Sequence, residues 1–124
     1  MRRSLLEVKY TRLYTGDDGE SHFEDVEVPL RSAGMGVLQR SRIARATGVF
    51  FSVTDGPFFS GFHNAPRRQY IVILEGTVEV GTGDGTKRQF GPGEILMVED
   101  TTGRGHTTLS VNDGFRREVF IALE

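Results

Sequence analysis

The chain has 124 residues, 15 basic and 17 acidic side chains for a formal charge of −2, and no cysteine. That length suits one domain, taken as residues 1–124, and the near-neutral balance offers no field to draw the chain to nucleic acid. The missing cysteines exclude disulfide frameworks, thiolate metal sites and cysteine nucleophiles together.

No apolar run approaches the ~18 residues that span a bilayer, so no membrane partner is expected. The opening MRRSLLEVKY carries only Leu5-Leu6 as its apolar part and is not read as a signal peptide. The expected location is cytoplasmic. Sixteen glycines and nine phenylalanines without tryptophan point to many turns around an aromatic core, a composition that favours β architecture.

In chain order, Leu5 to Leu13 alternates loosely and predicts a half-buried strand. Thr15 to Gly19 is a turn, and a second alternating strand ends at Pro29. His22 falls where that turn meets the strand and is assigned to the surface. Leu30 to Gly36 reads as loop. Val37 to Ala46 suits a short helix or a strand, and the strand is preferred because Thr47 to Val53 continues as a β run.

Beyond Asp55-Gly56-Pro57 comes GFHNAPRRQYIVILEG, Gly61 to Gly76, which turns at Ala65-Pro66 and runs into an apolar strand. Thr77 to Val80 and Lys87 to Phe90 form a hairpin across the glycine-rich Gly81 to Gly85. Glu94 to Glu99, His106 to Val111 and Phe115 to Leu123 complete roughly ten strands, with Asp100 to Gly105 as loop. Such a series, with no long helix, predicts a sandwich or barrel.

Two motifs carry a family resemblance. Gly61-Phe62-His63-Asn64-Ala65, then Gln69, then six residues and Gly76, resembles the first motif of the cupin superfamily. Phe90-Gly91-Pro92-Gly93-Glu94, followed by EILMVED and His106, resembles the second with a longer stretch before its histidine. The resemblance implies an all-β, cupin-type double-stranded β-helix, a jelly-roll-like barrel with a site inside. Many cupins hold a metal there with three histidines and a glutamate. His63 and His106 match two of those positions, while Ala65 replaces the second histidine and Gln69 the glutamate.

Alanine has no ligand atom, and glutamine offers only a neutral amide oxygen. No cofactor is therefore expected. A weakly bound divalent transition metal on His63, Gln69 and His106 is the alternative. Strand alternation places Gln69, Ile71 and Ile73 on one face, giving a cavity with an aliphatic floor and a polar patch of His63, Gln69 and His106. Such a patch suits a small polar or acidic ligand, or proton transfer by one imidazole.

Metal-free epimerases and isomerases of the superfamily pair their histidine with an acidic group. No aspartate is matched to that role here, since Asp17-Asp18 and Glu99-Asp100 read as loop residues that solvate or cap turns. Arg67, Arg104 and Phe62 are further ligand-binding candidates: a guanidinium at a cavity mouth pairs with a carboxylate or phosphate, and an aromatic ring lines a wall.

The expected function is binding of a small molecule in the barrel. The alternative is an enzyme: a metal-dependent dioxygenase or isomerase with a reduced ligand set, or a metal-free isomerase or epimerase with His63 or His106 as its base. A phosphate loop is excluded because Gly81 to Gly85 leads into no helix, and a serine hydrolase because there is no Gly-x-Ser-x-Gly elbow. The resemblance also implies a homodimer, with the Leu5 to Leu13 strand as its paired edge.

Overall fold

Period-two alternation between glycine turns, with no apolar stripe of helical spacing, leaves the chain little choice but strands. The computed structural model describes residues 7–124. In chain order the strands are β1 Lys9–Thr15, β2 Ser21–Glu27, β3 Arg31–Ser32, β4 Gln39–Arg40, β5 Ala46–Thr54 and β6 Phe59–His63. They continue as β7 Gln69–Glu75, β8 Val78–Gly81, β9 Lys87–Phe90, β10 Ile95–Val98, β11 His106–Ser110 and β12 Arg116–Leu123. No helix among the described residues is long and apolar enough to cross a membrane.

The protein is all-β. One sheet has six strands in the order β2-β1-β10-β7-β12-β5, a second has four in the order β6-β11-β8-β9, and β3-β4 is a small ribbon. The first is mixed, because β1 pairs parallel with β10 while its other ladders are antiparallel. The core lies between the two large sheets. Leu13, Ile73, Leu96 and Val98 from the first meet Val78, Val80 and Phe90 from the second, with Phe23 and Ile71 packed against them. The β8–β9 hairpin forms as its glycine-rich turn requires. In that turn the Asp84 carboxylate accepts from the Thr82 hydroxyl at 2.7 Å and the Thr86 N–H at 2.9 Å, which pulls its pKa down to about 2.

Three expectations need correction. The Leu5 to Leu13 strand begins at Lys9 and runs to Thr15, with Leu5 and Leu6 outside the described residues. It is not an edge, because β2 and β10 flank it. Of Val37 to Ala46 only Gln39–Arg40 and the terminal Ala46 are strand, while Val37 and Ile43 are almost fully exposed. Apolar side chains with nothing to pack against cannot hold a longer strand there. The short β6 ends the four-stranded sheet, and among the described residues its free edge and that of β5 belong to different sheets.

Candidate functional site

A cavity of about 340 Å³ lies between the sheets. Side chains alternate into it. From β7 come Gln69, Ile71 and Ile73, from β12 Arg116, Glu118 and Phe120, and from β5 Phe50, Ser52 and Thr54. His63 and His106 close one end, as the strand alternation and the two motifs anticipate.

Those histidines are brought together by backbone. His63 ends β6 and His106 opens β11, and they are direct cross-strand partners with ring centroids 4.5 Å apart. The ladder shifts between this pair and Thr108–Ser60, so one extra β6 residue falls between Ser60 and His63. In that bulge the Gly61 carbonyl lies 2.7 Å from His63 Nδ1, with Ser60 Oγ at 3.1 Å. Gly105, at φ +84°, lets the loop pass close to β6: a Cβ there would stand 2.0 Å from the His63 carbonyl oxygen. Asn64 ties the same loop down, donating from Nδ2 to the Thr102 and Gly103 carbonyls at 2.8 and 3.0 Å.

The orienting acid missing from the sequence reading is Asp100. It is fully buried, not a solvated loop carboxylate. Its Oδ2 lies 2.6 Å from His106 Nδ1 and accepts the Ser21 hydroxyl at 2.7 Å. The Asp100 carbonyl accepts the Ala65 N–H at 3.1 Å, which locks the two motifs to each other. A carboxylate only accepts, so Nδ1 of His106 carries the proton and Nε2 holds the lone pair. Among the described residues Nε2 has no hydrogen-bond partner, and it is not one of the inaccessible polar atoms, so on this cavity-lining residue it is the nitrogen left open. The same logic applies to His63, whose Nδ1 faces a carbonyl.

Gln69 sits beside them, buried, and its Oε1 accepts from Arg67 Nη1 at 3.1 Å. Arginine has no acceptor, so the amide must turn its oxygen to Arg67 and leave its nitrogen, a donor, as the free end. This bears on a metal. Glutamine's one ligating atom is engaged by a cation, and Ala65 supplies nothing. The metal donors that remain are two imidazole nitrogens beside a guanidinium. Among the described residues no group of three or more histidines and carboxylates converges to hold an ion. This donor set does not fit the three-histidine, one-glutamate arrangement.

Arg67 lines the cavity at its rim. Arg104 and Phe62 do not line it. They stack on each other outside, with the guanidinium carbon 4.2 Å from the ring centroid and Nη1 of Arg104 3.5 Å from Glu20. Phe58 is in the lining and Phe59 is not. His22 is half-buried in β2 with Nε2 2.9 Å from Asp18, away from the cavity. Glu99, next to Asp100 but on the opposite strand face, is clamped by Arg12 and by Arg68 at 3.1 Å. Burial opposes the Glu99 charge, and the two guanidinium partners outweigh it, so its pKa lies below the ordinary carboxylate value.

Arg116 and Glu118 were not anticipated. They form a buried pair, Nη1 to Oε2 at 2.7 Å, inside the cavity. Burial raises the Glu118 pKa and Arg116 works against that rise. The signal for all three missed residues was period two. Asp100 continues the inward face of Leu96 and Val98, and Arg116 and Glu118 share a face with Phe120.

The class the structure defines is an all-β protein with a largely apolar cavity between two sheets that carries a few polar and charged side chains. No protein-family model matches the sequence, and no curated protein matches it. Among solved structures it is similar to a conserved protein of unknown function from Streptococcus pyogenes, at 15% identity and a TM-score of 0.46 over 68% of this chain and 70% of that one.

Proposed function

We propose that this chain has a cupin-type fold and binds a small polar or acidic molecule in its cavity, where His106 serves as a metal-independent proton acceptor. One observation carries the reading: the buried Ser21–Asp100–His106 chain, which fixes the imidazole with Nε2 toward the cavity. A proton taken from the ligand by Nε2 makes an imidazolium whose Nδ1–H already points at a carboxylate, so the charge that develops is met without rearrangement. The proton then returns to a different face or atom of the ligand. No electron changes owner, and no oxidant enters the balance. Isomerisation or epimerisation fits this chemistry, and the engaged oxygen of Gln69 supports it over a metal-dependent dioxygenase. The ring of His63 and the amide of Gln69 supply hydrogen bonds that hold the ligand against His106.

Mass spectrometry of molecules released from the purified chain identifies the ligand, and proton exchange in D2O tests the chemistry. Wild type exchanges a carbon-bound hydrogen of that ligand, and His106→Ala does not. A ligand that binds wild type with no exchange at any carbon reduces the protein to a binder.

A homodimer is part of the same proposal, with its edge at β5. Val49, Phe51 and Val53 expose 58, 78 and 62% of their surface on the outer face of a strand with one edge unpaired among the described residues. An occupant must offer both a strand edge and an apolar face, and a second β5 run antiparallel offers both. Light scattering gives a dimer mass that Phe51→Lys reduces; a monomer mass for wild type at high concentration counts against the pairing.

A further inference from the structure

We propose that the cavity holds a second subsite, at the end opposite the histidines, where Arg116 takes a carboxylate of the bound ligand. This rests on the reading of the cavity as the ligand site, and it names the class of ligand: an elongated acid with a second polar group at its far end.

The sheet register sets the distance between the ends. Gln69 pairs with Ala122, Ile71 with Phe120 and Ile73 with Glu118. Val98 pairs with Gln69, and Asp100 lies two residues further on, so the histidine end is the Gln69 end. Glu118 pairs with Ser52 at the level of Ile73, and Arg116 pairs with Thr54 beyond it. Four residues of strand separate Gln69 from Ile73, roughly 13 Å at ~3.3 Å per residue. Between the two levels stand Ile71, Phe120, Phe50 and Leu96, an apolar waist. The cavity is polar at both ends and greasy in the middle.

Arg116 is the under-bonded group in it. A guanidinium has five N–H donors. Arg116 places one on Glu118 at 2.7 Å and reaches Thr54 Oγ1 only at 3.5 Å, the outer limit of a hydrogen bond. Its Nε is buried with no partner among the described residues, and the side chain is 8% exposed. A buried cation with one full hydrogen bond gives a weak structural return, because desolvating two charges costs about what their attraction recovers. Arg116 lines the cavity, and a planar guanidinium short of acceptors matches the two oxygens of a carboxylate. Glu118 takes only Nη1 of Arg116, at 2.7 Å, and leaves the other guanidinium N–H groups for a second acceptor. Thr54, opposite Arg116, and Ser52, opposite Glu118, add hydroxyls to the lining.

The test uses straight-chain ω-hydroxy monocarboxylates of increasing length as probes, with the matched primary amides as controls, titrated into the full chain. Calorimetry gives affinity, and NMR follows the Arg116 Nε–H and the His106 ring nitrogens. The proposal expects the acids to shift the Arg116 signal, to bind best at one chain length, and to lose about ten- to a hundredfold in affinity in Arg116→Gln, the loss of a charged hydrogen-bonded pair. Arg116→Lys, which keeps the charge without the fork, loses part of that affinity. Should Arg116→Gln fail to fold, the wild-type Nε–H shift decides alone. Equal affinity in Arg116→Gln and wild type, no response at Arg116, or amides that bind as well as acids each overturn the carboxylate subsite. A response at Arg116 with none at His106 upholds the subsite and removes His106 as the proton acceptor, so the two readings fail separately.

Discussion

Replacing Asp100 by asparagine exchanges one oxygen for an amide nitrogen in a fully buried position, and the consequences can be worked from the contacts. Asp100 Oδ2 serves both the Ser21 hydroxyl and His106 Nδ1, while Oδ1 has no partner among the described residues. If the asparagine oxygen takes the Oδ2 place, its NH2 lands where nothing accepts, and a buried unsatisfied donor costs about 1–3 kcal/mol. If the NH2 instead faces His106, Nδ1 must accept and the ring proton moves to Nε2, which removes the lone pair from the cavity. Either arrangement loses something measurable. At roughly 4 °C per kcal/mol for a chain of this size, thermal unfolding falls by ~4–12 °C. Long-range 1H–15N NMR at mildly alkaline pH should find the Nδ1–H form of His106 in wild type. A wild-type ring protonated at Nε2, or a variant with unchanged melting temperature and tautomer, would refute the Asp100–His106 argument.

Gly105→Ala meets a left-handed backbone and a contact 2.0 Å from the His63 carbonyl. It should cost ~1–3 kcal/mol in thermal unfolding and weaken cross-peaks between the His63 and His106 rings, whereas Gly85→Ala, also left-handed but with open space around it, should leave those cross-peaks alone. Glu99 has a folded pKa below its ordinary 4.5, so it contributes stability above that value which is lost as pH falls through the lowered one. Glu99→Gln should therefore flatten the acid limb of the stability curve below about pH 4.5, and an unchanged limb would discount the Arg12–Glu99–Arg68 clamp. The double change Ala65→His with Gln69→Glu restores the two departed ligand positions. Equilibrium dialysis should show zinc affinity rising on the order of a hundredfold over wild type, and no rise would mean that more than these two residues bars the ion.

Much of the fold was legible because its signals are local. Gly81 to Gly85 specifies a hairpin by turn chemistry, and the alternation of Gln69, Ile71 and Ile73 specifies a buried face, so both appear in the structure where the sequence puts them. The tip from Val37 to Ala46 misled because local β propensity needs a face to pack on, and Val37 and Ile43 have none. Phe62 and Arg104 misled for a related reason. Phe62 is one residue from His63 in β6, so strand alternation turns it away from the cavity; Arg104 is two residues from His106 but lies in the bend before β11, where alternation does not hold, and the two meet one another outside.

Asp100 shows where local reading stops and what would have carried it further. As a member of Glu99-Asp100 it looked like a turn-capping acid. As the third member of the series Leu96, Val98, Asp100, it had to point where two buried aliphatics point. A carboxylate driven into that position must be paid for by donors, and the donors come from far away in sequence, Ser21 from β2 and His106 from β11. The period-two rule therefore says that such an acid is inside, and only the tertiary structure says which donors hold it. The same rule read along β12 puts Arg116 and Glu118 inside as well, an acid and a base two residues apart on the face of Phe120. Asp100, Arg116 and Glu118 thus place in and beside this cavity charges to which the family resemblance assigned no role. The motifs supply the turns and the imidazoles, and period two along the chain says which of the charged residues around them point the same way.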